Sequence, residues 1–242
     1  MLDVLLVGAE ELENLGTRYL AAVLRQHGYS VQLAAFSTEA DGPAVIDLAR
    51  RAGPRLVGLS LIFQYRAPEF LRLAAELRRE VPTAHITVGG HFPSFADAEL
   101  LDLSPDLDSV VRGEGEYTLL ELVQRLDDRQ SWSGIQGLSF RQQGRVVRTP
   151  PRPLVKDLDT LPFPVRDTPP QRDLGMGFSP ILGSRGCHRD CSFCSISAFY
   201  GASGGSPQRF RSVANLAQEM DELGIERILD DGEGFTEQRN CR

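Results

Sequence analysis

The chain has 242 residues, with 41% apolar and 24% charged side chains. At about 150 residues per domain that is more than one domain and less than two, and the composition excludes wholesale disorder. Residues 1–128 carry 11 basic and 20 acidic side chains (net −9) and the remainder 15 and 13 (net +2), so the front half is a poor surface for nucleic acid. No run reaches the ~18 apolar residues of a membrane span. The start, MLDVLLVGAEEL, runs straight into acidic residues. It lacks the basic leader and small-residue cleavage site of a signal peptide, which reads as a cytoplasmic protein.

Short β-rich runs then alternate with helical patterns. Leu2–Val7 is an apolar strand, and Thr17–His27 is an amphipathic helix stopped at Gly28. Ser30–Ala35 is a second strand, Pro43–Arg51 a helix and Arg55–Leu61 a third strand. Pro68–Arg79 is a helix with proline in its first turn, and Ala84–Val88 a fourth strand. Ser94–Leu101 reads as one short helix capped by Ser94, followed by the strand Ser109–Val111 and the helix Tyr117–Leu126. Five βα repeats predict an α/β fold with a parallel sheet covered on both faces, in the flavodoxin-like (Rossmann-like) order 2-1-3-4-5. The ligand crevice of such a sheet lies at the carboxyl ends of its strands. Gly137–Arg148 then reads as a hairpin turning at Gly144. Residues 150–180 hold eight prolines, which predicts an extended linker with no core element. A second βα unit follows: a strand at Pro180–Ser184, a cysteine-rich loop, a helix at Val213–Leu223 and a strand at Arg227–Leu229. The expected organisation is a domain over 1–135, a hairpin and linker over 136–178, and an incomplete second domain over 179–242.

All four cysteines lie in the last quarter, and Cys187, Cys191 and Cys194 fall within eight residues as C-x3-C-x2-C. Without a secretion signal, such clustering favours a metal site over a disulfide framework. Three thiolates can hold three corners of an iron–sulfur cubane and leave one iron open to a substrate or cofactor. The competing reading is a zinc knuckle completed by His188 or Cys241, but zinc sites more often pair two distant cysteine pairs.

The motif, led in by Ser184-Arg185-Gly186, resembles that of the radical SAM superfamily. The resemblance implies a [4Fe–4S] cluster on Cys187, Cys191 and Cys194. Its open iron would chelate S-adenosylmethionine, which the cluster cleaves reductively to a 5′-deoxyadenosyl radical. Phe193 matches the family position beside the adenine. The front half, in turn, resembles the cobalamin-binding domain fused to one large group of these enzymes. The matching residues are Val88-Gly89-Gly90-His91-Phe92-Pro93, Val111-Arg112-Gly113-Glu114-Gly115-Glu116 and Leu161-Pro162-Phe163-Pro164. This implies cobalamin contacts from Gly89, Gly90, His91, Gly113, Glu114, Gly115 and Glu116, with Gly8, Ser60 and Phe63 as further crevice candidates. Glycines there are expected to let the backbone approach a flat macrocycle.

Family members that ligate cobalt through histidine carry Asp-x-His-x-x-Gly after the first strand. The corresponding loop here, Gly8 to Gly16, has no histidine, so the lower face of the corrin is expected to lack a histidine ligand. Near the end of the sequence, Leu229-Asp230-Asp231-Gly232-Glu233-Gly234-Phe235 resembles the family's acidic turn. It implies hydrogen bonds from S-adenosylmethionine to Asp230, Asp231 and Glu233, although Gly-Glu-Gly separates the aspartates from Phe235. No Walker A, G-x-G-x-x-G or Ser/His/Asp arrangement is present, and no catalytic residue is assigned.

The resemblance implies a radical enzyme, a methyltransferase or a ring-forming type. Its partners would be a small-molecule substrate and an electron donor such as a flavodoxin or ferredoxin. The alternative is a protein that holds cobalamin or a cluster without turnover. A radical SAM barrel has further βα units, so the sequence is also expected to be a truncated product, a fragment or a pseudo-enzyme.

Overall fold

Strand and helix alternate from the first residues because apolar runs and proline- or glycine-marked helices alternate in the sequence. The computed structural model describes residues 2–10, 13–168, 171–173, 176–189, 191–204, 208–223 and 227–230. The chain divides into two compact units, Met1–Arg152 and Pro153–Arg242.

In the first unit, β1 (Val4–Gly8), β2 (Val31–Ala35), β3 (Leu56–Ser60), β4 (His85–Gly89) and β5 (Ser109–Val111) pair in parallel in the order β2-β1-β3-β4-β5. This is the expected flavodoxin-like order. The connecting helices are α1 (Leu15–Gln26), α2 (Gly42–Ala52), α3 (Ala67–Glu80), α4 (His91–Phe95), α5 (Asp97–Leu103) and α6 (Glu116–Gln124). Asn14 caps α1, its side-chain oxygen accepting from Thr17 N–H at 3.2 Å. Proline stands in the first turn of α2 and of α3, where its missing N–H costs nothing. The central strands are buried along nearly their whole length because helices cover both faces. Leu5, Val7, Val57, Leu59, Ile86 and Val88 meet Phe36, Phe70, Leu73 and Leu77 in one cluster. Each such side chain contributes roughly 1.5–3 kcal/mol on burial.

Two expectations about this unit need correction. The hairpin, β6 (Leu138–Gln142) and β7 (Arg145–Arg148), is not a separate connecting segment. It joins β5 antiparallel and extends the sheet to seven strands within the unit Met1–Arg152. Its turn places Gln143 at φ 51° and Gly144 at φ 74°, the left-handed pair that matches strand twist. The single helix expected over Ser94–Leu101 is two helices, α4 and α5, and Ser94 lies inside the first. Ala96, at φ −119° and ψ 30°, leaves the helical conformation and divides them.

The proline-rich segment is also more than a linker. Leu154, Leu158 and Leu161 are buried. The Arg209 guanidinium donates to Val155 C=O at 2.6 Å, and Ser212 N–H donates to the Asp159 carboxylate at 2.9 Å. Prolines disfavour helix interiors and strand ladders, but they do not prevent an extended segment from packing its leucines. Farther on, β8 (Gln171–Asp173), β9 (Met176–Ile181) and β12 (Arg227–Asp230) form a three-stranded sheet in the order β12-β9-β8. β9 and β12 are parallel, as a βα unit requires. The strand expected over Pro180–Ser184 is split, because β10 (Ser184–Gly186) turns away to pair antiparallel with β11 (Gln208–Phe210). Helix α7 (Ile196–Gly201), not foreseen, precedes β11, and α8 (Val213–Leu223) lies between β11 and β12.

Candidate functional site

Ala35, Gly8, Ser60, Gly89 and Val111 stand side by side across β2, β1, β3, β4 and β5, each the last residue of its strand. The sheet therefore ends in one straight edge, and every crevice residue named from the sequence of this unit lies on that edge or in the turns leaving it. Two backbone hydrogen bonds lock the exits of β3 and β4 together: Leu61 N–H to Gly89 C=O at 2.9 Å, and Phe92 N–H to Ile62 C=O at 3.2 Å. Gly8 C=O accepts from Phe36 N–H at 2.7 Å, which joins the exits of β1 and β2. Arg66, buried with its guanidinium 5.3 Å from the Phe36 ring and 5.2 Å from the Phe70 ring, donates to Phe36 C=O and pairs with Glu69.

The glycines serve this packing first. A Cβ on Gly90 would sit 2.6 Å from Leu61 C=O, at a φ of 114° that side chains rarely adopt. One on Gly8 would sit 2.8 Å from the Asn14 amide, and one on Gly89 3.1 Å from Val111 C=O. The expected reason for glycine, room for a flat ligand, is thus preceded by a need internal to the fold.

Apolar side chains stand exposed around that edge. Phe63 is 56% and Tyr65 75% exposed, and their rings stack at 5.7 Å. Ile62 and Phe95 are exposed as well, and His91 lies edge-on to Phe95 at 5.3 Å. Burial lowers the pKa of His91 and so favours its neutral form. Exposed apolar groups gathered at strand ends suit the face of a flat, largely apolar macrocycle. The turn after β1 has no histidine, and Asn14 there is held on both sides. Its amide donates to Ala9 C=O at 3.1 Å while its oxygen caps α1.

In the turn after β5, Gly113 adopts φ 68°. Glu114 and Gly115 are half-buried there, and Glu116 is buried as the first residue of α6. Arg112 does not point to a ligand. Its buried guanidinium donates to the carbonyls of Leu138 and Thr149 and lies 3.5 Å from Asp97. Burial lowers its pKa, opposed by Asp97 and reinforced by Arg148. The buried Asp97 also accepts from Ser139 and pairs with Arg148 at 3.1 Å. This network fastens the Arg112 turn to α5 and to the hairpin. Sequence reading missed Asn14, Ser94, Tyr65 and the Arg112–Asp97 pair. For the last, the available signal was a charged residue inside an otherwise buried run at Ser109–Arg112.

In the second unit, Cys187, Cys191 and Cys194 are free thiols, each half-buried. Arg189 N–H points at Cys187 Sγ at 3.4 Å, and Cys194 N–H closes a turn onto Cys191 C=O at 3.0 Å. Among the described residues no three His, Cys, Asp or Glu side chains are gathered closely enough to hold a metal ion. The donor set still fits an iron–sulfur cluster, since soft thiolates on one short loop are its usual ligands. His188, the alternative zinc ligand, has Nδ1 2.9 Å from Gln208 Oε1. Phe193 is 91% exposed, free of the core. Asp231, Glu233 and Cys241 lie outside the described residues.

Residues 1–123 match the family model of the B12 binding domain. The chain belongs to the B12-binding domain family. Similarity continues beyond that domain. An uncharacterized methyltransferase of Pyrococcus horikoshii is 31% identical over 228 residues, covering 90% of this chain and 48% of the relative. Hopanoid C-3 methylase of Methylococcus capsulatus is 35% identical over 201 residues, covering 79% and 37%. A solved structure of the radical S-adenosylmethionine methyltransferase TsrM from Kitasatospora setae, with cobalamin and a [4Fe–4S] cluster bound, superposes with a TM-score of 0.73. The match covers 98% of this chain and 49% of that one at 20% identity, so the fold is shared. The chain spans less than half the length of each of these relatives. No helix among the described residues is long and apolar enough to cross a membrane.

Proposed function

We propose that this B12-binding-domain chain holds cobalamin at the carboxyl edge of the first sheet and a [4Fe–4S] cluster on Cys187, Cys191 and Cys194. With S-adenosylmethionine it would serve a radical reaction on an unactivated carbon, methyl transfer or ring formation. The observation that carries the proposal is a loop of three free thiols in one chain with a sheet edge whose exits are already locked together. When bound, these groups supply reductive cleavage of S-adenosylmethionine and a carrier for a methyl group.

The chain's own residues would then bind and shield. The turns at Gly89–His91 and Gly113–Glu116 would seat the macrocycle, and Phe63 and Tyr65 would cover apolar surface and exclude water. The turn after β1, which has no histidine, would offer cobalt no imidazole. In the second unit, Phe193 would pack beside the adenine, and Asp231 and Glu233 would accept hydrogen bonds from the cosubstrate. A flavodoxin or ferredoxin would supply electrons to the cluster, the substrate would be a small molecule, and the setting would be the cytoplasm.

Anaerobic reconstitution tests the proposal. Uptake of iron and sulfide, a corrinoid absorbance change on adding hydroxocobalamin and release of 5′-deoxyadenosine are the expected results. Corrinoid binding without cleavage of S-adenosylmethionine would support a non-catalytic binding protein instead.

A further inference from the structure

The exits of β4 and β5 are joined differently from the others. Beyond the last ladder pair, Gly89 with Val111, the chain departs through two turns whose glycines take left-handed φ angles, 114° at Gly90 and 68° at Gly113. One side chain spans them. Ser94 Oγ donates to Gly90 C=O at 2.8 Å and accepts from Gly113 N–H at 2.9 Å. Both bonds belong to a half-buried hydroxyl, and each occupies a backbone group of a turn that would face the ligand.

We infer that Ser94 is a positioning residue for the corrinoid: its hydroxyl sets the spacing between the two glycine turns, and that spacing sets affinity. The inference rests on the cobalamin reading above. The physical reason is that glycine turns are conformationally permissive. A flat ligand resting on two of them gains affinity only if their separation is fixed before it arrives. Val111 and Gly89 hold the strands together, but neither reaches past the strand ends. The Ser94 hydroxyl does, and it reports the position of one turn to the other through two bonds rather than through the ligand. A side chain without the hydroxyl leaves Gly113 N–H and Gly90 C=O to water and lets each turn move alone.

The test uses the full chain and hydroxocobalamin, with affinity read from the absorbance change. Ser94→Ala is expected to weaken binding roughly tenfold, the equivalent of two modest hydrogen bonds. Ser94→Thr and Ser94→Val form a pair of nearly equal volume that differs in the hydroxyl. Thr, which can bond the carbonyl four residues back, is expected to bind within about threefold of the native chain, and Val to behave as Ala does. In the corrinoid-free chain, exchange of the Gly113 amide should quicken in the Ala and Val variants and slow again in the Thr variant. Native binding with equal affinities for Thr and Val overturns the role of Ser94 and leaves the cobalamin reading standing. A native chain that takes up no corrinoid overturns both. Because the decisive comparison is between Thr and Val, a loss of stability in the Ala variant does not blunt it.

Discussion

The two candidate sites represent opposite ways of preparing for a ligand. At the sheet edge, the exits of neighbouring strands are joined by hydrogen bonds before any ligand is present, and the glycines are forced by contacts within the protein. In the cysteine loop, three free, half-buried thiols lie on one short segment with few contacts of its own. The first site presents a surface finished by folding. The second offers three soft donors on one short loop, held by a few local hydrogen bonds. The difference follows from element type, because a row of strand ends is fixed by the whole sheet whereas a loop is fixed by its own few contacts.

That contrast can be broken most sharply at the cysteines. Replacing Cys187, Cys191 or Cys194 by alanine should abolish cluster assembly, read as loss of iron and of the visible charge-transfer absorbance after anaerobic reconstitution. The urea midpoint of the first unit should not move. A coupled loss of both would show that the sites are not independent. Next in size, Gly90→Ala should destabilise the first unit by about 4 kcal/mol, combining a left-handed φ with a clash on Leu61 C=O. Urea unfolding measures it.

The third effect depends on pH and also belongs to the first unit. Burial is the main cause that pushes the pKa of His85 down from 6.5 to about 4, with Asp108 opposing and Arg129 and Arg78 adding to the shift. Its Nε2 lies 2.8 Å from Ser109 Oγ, and its ring meets the edge of Trp132. Between those two pH values the unfolded chain binds a proton that the folded chain does not. Stability is therefore complete above about pH 6.5 and declines as the pH falls toward 4, by on the order of 3 kcal/mol. Denaturant midpoints measured across this range should show the slope, and His85→Gln should flatten it. The smallest effect is Gly28→Ala. Gly28 has φ 84° but open space around its Cβ position, so the cost should be only about 1 kcal/mol. Equal losses at Gly28 and Gly90 would remove the claim that the crevice glycines are held by contact rather than by φ alone.

Much of the fold was legible because the physics that determines it is local. Five apolar runs separated by proline- and glycine-marked helices gave the parallel sheet and its order, and Gly144 marked the hairpin turn. The hairpin's place in the sheet was not legible, since pairing Ser109 with Phe140 is a long-range choice. The proline-rich segment was misread because its prolines masked three leucines, Leu154, Leu158 and Leu161, at helix-like or extended spacing. In the site, glycine turns and cysteine spacing stand out in any sequence. Ser94 does not, because its role is defined by a glycine 19 residues away. It looked like a helix cap, the commonest local use of serine. Arg112 lay within a recognised motif, yet its partners, Asp97 and the carbonyls of the hairpin, are visible only once the sheet is assembled.

The hairpin has one more consequence. The matched B12-binding domain stops at residue 123, and β5, with three residues, would leave a bare row of amide and carbonyl groups along the side of the sheet. β6 takes up that row, and β7 becomes the outermost strand, with Arg145 and Arg148 exposed at its two ends. A second molecule approaching to add a strand would bring its own two arginines against these. The hairpin thus covers the β5 side of the sheet, and its removal would leave the backbone groups of β5 open to pairing with another strand.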